Sequence, residues 1–183
     1  LVESKSGERG IFNRVSAQKQ AAKNGRRNPD YEFGTNPCSE IILRPHQFCN
    51  LTEVVVKEHD TDDDLDRKVR LATILGTAQS TLTNFPYLRK VWKNNTQEER
   101  LLGVSLTGIM DNIHTNCFLV NMRERLTRMK QIAIDTNKKY AKRFGIEEST
   151  AITCVKPSGT VSQLCDSASG IHARHSRYYI RTV

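Results

Sequence analysis

The stretch Asn36-Pro37-Cys38-Ser39-Glu40-Ile41 joins a turn signal to a predicted strand. Asn-Pro commonly begins a turn, and the apolar run 41–43 is typical of a strand. If residues 36–41 are extended, Asn36, Cys38 and Glu40 point to one side, because side chains alternate along a strand. The stretch is therefore either a reactive cluster or a turn with a small apolar thiol and a solvated acid.

A second thiol, Cys49, follows Cys38 by eleven positions. The residues Arg44-Pro45-His46-Gln47 between them form a plausible chain reversal. We expect this reversal to bring the two sulfurs into one cleft.

A loop of small residues, Pro157-Ser158-Gly159-Thr160-Val161-Ser162, follows the apolar run 151–155. Glycine allows the backbone to approach a ligand closely, hydroxyls donate hydrogen bonds, and a following helix start supplies free N–H groups. The loop therefore predicts a phosphate cradle. A thiol pair together with a phosphate cradle suggests redox chemistry on a phosphorylated substrate.

Four separated motifs, in matching order, closely resemble the catalytic chain of ribonucleotide reductases. They are Gly34–Ile41, Phe48–Leu51, Leu102–Ile109 and Lys156–Gln163, and the resemblance spans nearly the whole chain. The cysteine spacing and the Pro-Ser-Gly-Thr sequence resemble the adenosylcobalamin-dependent class II enzymes more than the iron-radical class I enzymes.

The resemblance implies roles for three residues of the stretch 36–41, called the key stretch below. Cys38 would be the transient thiyl radical that takes the 3′-hydrogen of the substrate, and Glu40 would be the base at the 3′-hydroxyl. Asn36 would hydrogen-bond the ribose hydroxyls. Cys49 would be one of two reducing thiols, whose partner lies upstream in the family. The substrate phosphates would be held by Pro157, Ser158, Gly159, Thr160, Val161 and Ser162.

The fold implied by the resemblance is a ten-stranded α/β barrel with a central finger loop that carries the radical cysteine. Residues 1–183 would be a single segment of that catalytic barrel domain, truncated at both ends and inactive alone. The sequence patterns themselves indicate only a mixed α/β fold, with parallel strands and helices outside them.

Several elements are predicted from local patterns. Four helices are predicted up to residue 144: one over about 15–23, one after Asp60–Asp64 that is capped by Asp62 or Asp63, one that starts at Thr96–Glu99, and one over 123–144 that is stopped by Gly145. A short helix is predicted over 163–170. A strand is predicted over 51–56, and the end at 178–183 is strand-like. The run 101–110 fits a helix or a strand, and the resemblance favours a buried strand. Asp111, at the end of that strand, is then a candidate cleft residue on the basis of its position alone. The alternative is that Asp111 is a solvated loop residue.

The formal net charge of +8 is compatible with nucleic acid, a membrane surface or phosphorylated small molecules. Basic residues are scattered and aromatic residues make up 7% of the chain, which argues against a polynucleotide binder. The basic clusters 23–27 and 172–177 are interpreted as solvated faces. No apolar run approaches the length of a membrane span.

Five cysteines, an odd number without short-spaced pairs, argue against a disulfide framework and favour a reducing cytoplasm. No CxxC or HxxxH spacing occurs, so metal binding is disfavoured. Cys117, Cys154 and Cys165 are interpreted as small apolar fillers.

For the full-length enzyme the resemblance implies adenosylcobalamin as cofactor, a ribonucleoside di- or triphosphate as substrate, a thioredoxin-like reductant and a possible homodimer. Three alternatives stay open: a non-catalytic phosphate-binding segment, a thiol–disulfide redox module built on Cys38 and Cys49, and a class I reductase. Glu40 argues mildly against the redox module, because a carboxylate raises the pKa of a neighbouring thiol.

Overall fold

A computed structural model of the chain describes residue 5 and residues 10–112 and 121–180. Cys117 and the last three residues of the predicted C-terminal strand lie outside this range.

The centre of the fold is a pair of parallel strands, β3 (Asn50–Val55) and β4 (Leu102–Thr107). Their register runs from Asn50 opposite Leu102 to Val55 opposite Thr107. The predicted strand at 51–56 is confirmed, and the ambiguous run 101–110 contains a strand. Its apolar and small residues suit a strand with both faces covered.

The apolar run 151–155 extends along the other edge of β4. Val104 forms a parallel bridge with Thr153, and its N–H donates to the Ile152 carbonyl at 2.8 Å. Cys154 N–H then donates to the Val104 carbonyl at 3.1 Å. β4 therefore lies between β3 and the segment that leads into the predicted phosphate cradle.

Two long helices, α2 (Asp62–Gln79) and α4 (Met122–Phe144), contribute to the core. The buried core consists of Val54, Val56, Leu65, Val69, Ala72, Leu102, Val104, Met129, Ala133 and Ile152. The helix predicted over 123–144 is confirmed, as is its stop at Gly145, which has a positive φ of 67°. The α/β class and the parallel strands are confirmed, and the closed ten-stranded barrel stays a prediction.

The N-cap of helix α2 lies one residue before the predicted caps. Thr61 is the N-cap: its hydroxyl accepts from Asp64 N–H at 3.2 Å, and the Asp64 carboxylate accepts from Thr61 N–H at 3.1 Å. This reciprocal capping box satisfies two N–H groups at the helix start. Asp62 instead pairs with Arg125 at 3.1 Å across to α4, so the prediction that Asp62 or Asp63 caps the helix is wrong.

The prediction that a helix starts at Thr96 is wrong. Helix α3 spans Lys90–Glu99, and it ends at Arg100, whose φ is 43°. Thr96 is buried in its last turns and accepts from Phe48 N–H at 3.5 Å. The hydroxyl is used for a tertiary contact, which a capping pattern in the sequence does not reveal.

The shorter elements differ from the predictions in detail. The N-terminal helix α1 covers Arg14–Ala22, close to its predicted range. Helix α5 covers Thr160–Leu164, so the helix predicted over 163–170 is wrong; Asp166 has a φ of 46°, which a helix does not accommodate. Residues 178–180 form no strand. In the described ranges no helix combines the length and the apolar content that a membrane crossing needs.

Candidate active site

The key stretch 36–41 forms the loop of a two-stranded hairpin. Strand β1 (Gly34–Thr35) pairs antiparallel with β2 (Ile42–Leu43), which confirms the short strand at 41–43 in part. Ser39 N–H donates to the Asn36 carbonyl at 3.0 Å, and Ser39 has a φ of 63°. Residues 36–41 are therefore not extended, because closing the hairpin within six residues requires a turn, and the alternation that would place Asn36, Cys38 and Glu40 on one side of a strand does not apply.

Asn36 stabilises this loop from within. Its side-chain oxygen accepts from Ile41 N–H at 3.0 Å and from the Thr35 hydroxyl at 3.4 Å. This is the local hydrogen bonding by which asparagine side chains replace backbone partners in turns. The side-chain oxygen of Asn36 is therefore engaged, and its amide nitrogen is the group suited to a ligand.

The thiol of Cys38 lies at the exposed tip of the loop, whereas Cys49 is half-buried just before β3. The chain reversal predicted between them is present as a turn at Pro45 and His46. Cys38, Cys49, Cys154 and Cys165 are all free thiols.

Glu40 reaches from the loop to two half-buried thiols. Burial raises the pKa of Cys49, and the Glu40 carboxylate raises it further. For Cys154, burial, Glu40 and Cys49 together raise the pKa to about 12, against an opposing hydrogen bond with Ser105. Both effects disfavour the thiolate. The two thiols therefore stay protonated at neutral pH.

Cys154 is a member of this cluster that the sequence interpretation missed. Glu40 and Cys154 line one cavity of about 410 Å³, together with Thr153 and Lys130. One carboxylate oxygen of Glu40 is buried without a hydrogen-bond partner among the described residues. A buried acceptor of this kind is costly unless a ligand or solvent satisfies it. The alternation of side chains along 151–155 was the only signal in the sequence for the position of Cys154.

Gly103 allows the loop to lie against the sheet. A Cβ atom built on Gly103 would lie 2.4 Å from Leu51 Cδ2, 3.0 Å from Ile41 Cδ1 and 3.1 Å from Cys154 Sγ. A larger residue would overlap Leu51 and crowd Ile41 and Cys154, so these side chains would have to shift. Because Gly103 has no side chain, the end of the key stretch, β3 and Cys154 can lie close together on one face of β4.

The phosphate cradle lies three residues beyond Cys154 in the chain. Helix α5 begins inside the cradle, at Thr160, with Gly159 as its N-cap, rather than after the cradle as predicted. Pro157, Gly159, Thr160 and Val161 are exposed.

Two hydroxyls of the cradle, those of Ser158 and Ser162, point into the protein. Ser162 is fully buried, and its hydroxyl donates to the carbonyls of Ser158 and Gly159 at 3.2 Å and 2.8 Å. Ser158 is 1% exposed, and its Oγ has no partner among the described residues. The exposed groups suited to an anion are therefore the backbone and the hydroxyl of Thr160.

An ion-pair network holds the segment after the cradle. Arg174 binds the Asp111 carboxylate at 2.9 Å and the Asp166 carboxylate at 2.7 Å. Asp111 also accepts from Ala168 N–H at 2.6 Å. Asp111 is thus neither a solvated loop residue nor a free cleft acid, and Arg174 is not merely part of a solvated basic face. In the part of the chain that the structure describes, no three His, Cys, Asp or Glu side chains group into a metal site.

The raised thiol pKa values lead to a prediction about alkylation in the full-length protein. Iodoacetamide reacts with thiolates, so Cys154 should react slowly at pH 8 and faster as pH rises toward about 12. Glu40→Gln removes a negative charge, lowers the pKa of Cys49 and of Cys154 and accelerates their alkylation, about three- to fourfold for each tenfold gain in thiolate, because nucleophilicity falls with pKa. Peptide mass spectrometry measures both rates, with Cys165 as internal control. Equal rates in both proteins would contradict the clustering of Glu40 with these thiols.

No protein-family model matches the chain. The chain is 31% identical over 152 residues to a probable adenosylcobalamin-dependent ribonucleoside-triphosphate reductase of Dictyostelium discoideum, covering 82% of this chain and 19% of the relative. It is 30% identical over 183 residues to the adenosylcobalamin-dependent ribonucleoside-triphosphate reductase of Euglena gracilis, covering 96% of this chain and 24% of the relative.

A solved structure agrees with these similarities. The crystal structure of a B-12 dependent (class II) ribonucleotide reductase superposes with a TM-score of 0.58 and 26% identity, covering 76% of this chain and 22% of that chain. The chain therefore spans roughly a fifth to a quarter of the length of the proteins it matches.

Proposed function

We propose, because this chain is homologous to a segment of the adenosylcobalamin-dependent ribonucleotide reductases, that it forms the catalytic part of such an enzyme. The full-length protein would reduce ribonucleoside triphosphates to 2′-deoxyribonucleoside triphosphates for DNA synthesis. The observation that carries this proposal is the 30% identity over 96% of the chain to a reductase of that class. The same similarity disfavours an iron-dependent class I enzyme.

In this proposal the parallel strands β3 and β4 are two of the strands of the barrel. Gly103 and Cys154 share a sheet face with Leu51, and the hairpin 34–43 packs there through Ile41. A closed ten-stranded barrel would enclose this face, and the hairpin would be its finger loop. Enclosure keeps water away from a reactive radical.

Removing a ribose 2′-hydroxyl is difficult because hydroxide is a poor leaving group from a saturated carbon. A radical at the adjacent 3′-carbon changes this, since the radical sugar loses water once the 2′-oxygen is protonated and the 3′-oxygen is deprotonated. In our proposal the Cys38 sulfur takes the 3′-hydrogen atom and returns it at the end. Glu40 accepts the 3′-hydroxyl proton, and its buried, unpartnered oxygen supports that role. Asn36 orients the ribose through its amide nitrogen.

Cys49 would supply one half of the reducing equivalents. Two thiols become one disulfide, which gives two electrons and two protons: the 2′-hydroxyl leaves as water and hydrogen replaces it. The raised pKa of Cys49 supports this role, because a donor of hydrogen must hold its S–H. A thiol–disulfide exchange module needs a lowered pKa instead, so this feature disfavours the redox-module alternative.

Adenosylcobalamin would supply the hydrogen-abstracting radical that activates Cys38 in the complete enzyme. The exposure of the Cys38 thiol fits a radical source that reaches the sulfur from outside this segment. The described residues contribute the sulfur, and we assign no corrin-binding surface to them.

The remaining partners are proposed from the same homology. The exposed backbone and hydroxyl groups of 157–162 would hold the substrate phosphates, with Ser158 and Ser162 shaping the loop from inside. A thioredoxin-like protein would re-reduce the disulfide, which suits the reducing cytoplasm. The full-length enzyme would be a homodimer.

An activity assay tests the proposal. The purified full-length protein, given a ribonucleoside triphosphate, adenosylcobalamin and a dithiol, should form the 2′-deoxy product, as measured by chromatography. Leaving out adenosylcobalamin should reduce product formation to background. A protein that binds nucleotide but forms no product under these conditions would favour the non-catalytic phosphate-binding alternative.

A further inference from the structure

A buried ion pair lies directly beneath the hairpin of the key stretch. Arg27 Nε and Nη2 donate to the two carboxylate oxygens of Glu99, both at 2.8 Å. The side chains of Arg27 and Glu99 are 4% and 3% exposed. Such bidentate pairs have a fixed geometry, and removing one partner leaves an uncompensated buried charge.

The same guanidinium holds the hairpin. Arg27 Nη1 donates to the Ile42 carbonyl at 2.8 Å, on the strand that follows the loop. The Arg27 guanidinium also lies over the ring of Phe33, with 4.6 Å to its centroid, just before the first strand. Arg27 thus contacts both sides of the hairpin.

Gln47 connects the pair to the turn between the two thiols. Its side-chain nitrogen donates to Glu99, and its side-chain oxygen accepts from Arg44 N–H at 2.9 Å. Gln47 is 5% exposed. The backbone carbonyl of Glu99 also accepts from Thr150 N–H at 3.0 Å, at the entrance to the segment that carries Cys154.

We infer that Arg27, Glu99 and Gln47 are positioning residues that hold the hairpin carrying Cys38 and Glu40 in register with Cys49 and Cys154. This inference rests on the proposed function. The three residues touch none of the reacting atoms and act through the backbone of Ile42 and Arg44. A displacement of about 1 Å in a reacting group can cost on the order of a hundredfold in rate. Hydrogen-atom transfer from a sugar carbon to one sulfur needs such accuracy.

The test uses the full-length enzyme and three variants. Arg27→Lys keeps the positive charge beside Glu99 but cannot make all three planar hydrogen bonds. Glu99→Gln removes the charge. Glu98→Gln is the matched control, because it makes the same change one residue away on α3, where the Arg44–Glu98 pair at 2.8 Å leaves Glu98 55% exposed. Although Arg44 is 11% exposed, removing the charge of the solvent-exposed Glu98 costs less stability than leaving Arg27 buried without its partner.

For Arg27→Lys we expect kcat per folded molecule to fall on the order of a hundredfold, with little change in KM for the triphosphate. Amide hydrogen exchange of the peptide 34–44 should become faster in the same variant, while the Glu98→Gln control resembles the wild type. Glu99→Gln should show the same pattern in the fraction that folds. The folded fraction is measured from the cooperative unfolding transition.

Two results would overturn the inference: a kcat for Arg27→Lys equal to that of the control, or a lowered kcat with unchanged exchange of peptide 34–44. A wild-type enzyme without reductase activity would overturn the proposed function instead. The exchange measurement needs no turnover, so the two failures are distinguishable.

Discussion

Cys38→Ser in the full-length enzyme is expected to reduce deoxynucleotide formation to background. A serine hydroxyl holds its hydrogen more strongly than a thiol, so it cannot sustain the radical that takes the 3′-hydrogen. Because Cys38 is exposed at the tip of a loop, the substitution removes little packing, and the folded state and nucleotide binding should be retained. Product chromatography, nucleotide titration and thermal unfolding measure the three properties.

The matched control for this variant is Cys165→Ser. Cys165 is a half-buried free thiol at the end of α5, outside the cluster of Glu40, Cys49 and Cys154. We expect it to keep activity close to the wild type. Normal product formation by Cys38→Ser would remove Cys38 from its proposed role and with it the main mechanistic assignment.

Cys49→Ser is expected to have the second largest effect, with a different signature. Hydrogen abstraction by Cys38 should still occur, but the radical sugar has lost one of its two reducing thiols. The substrate should then decompose, so that free base accumulates in place of clean deoxynucleotide. Chromatography of the base and the nucleotide in single-turnover reactions separates this outcome from simple inactivity.

Cys154→Ser is the informative control for Cys49→Ser, since both thiols lie near Glu40 and both have a raised pKa. We expect Cys154→Ser to form clean product. The opposite pattern, with base release from Cys154→Ser and clean product from Cys49→Ser, would transfer the reducing role to Cys154.

Local sequence patterns were sufficient for the long helices and for one strand. The helix predicted over 123–144 corresponds to α4 (Met122–Phe144), and Gly145 predicted its end. These features depend on contacts between residues three and four apart and on one backbone conformation, so they can be inferred without knowing the rest of the fold.

Local patterns failed where a side chain has two possible partners. Thr61 was overlooked as a cap in favour of the neighbouring aspartates, and the pattern at Thr96 predicted a helix start in the last turns of α3. In each case the hydroxyl or carboxylate is engaged by a partner that the pattern does not specify. Asp62 pairs with Arg125 on α4, and Thr96 accepts from Phe48 N–H.

The candidate site was predicted as a set of residues rather than as a geometry. The resemblance identified Asn36, Cys38, Glu40 and Cys49, but not the turn at Ser39 that prevents their alignment along a strand. A helix was predicted to follow the cradle, whereas α5 begins inside it at Thr160, and the hydroxyls of Ser158 and Ser162 point into the protein.

What the sequence determined by itself is the α/β class, the family resemblance and the residue types of the chemistry. These depend on local hydrogen bonds, side-chain periodicity and motifs of a few residues. Only the tertiary structure decided that Glu40 faces Cys154 and that Arg27 pairs with Glu99, 72 positions away. Such contacts form when parallel strands and helices from distant parts of the chain pack together. Burial of a charged or polar group without a partner raises the free energy of the folded state, so the packing that gives each such group a partner is favoured.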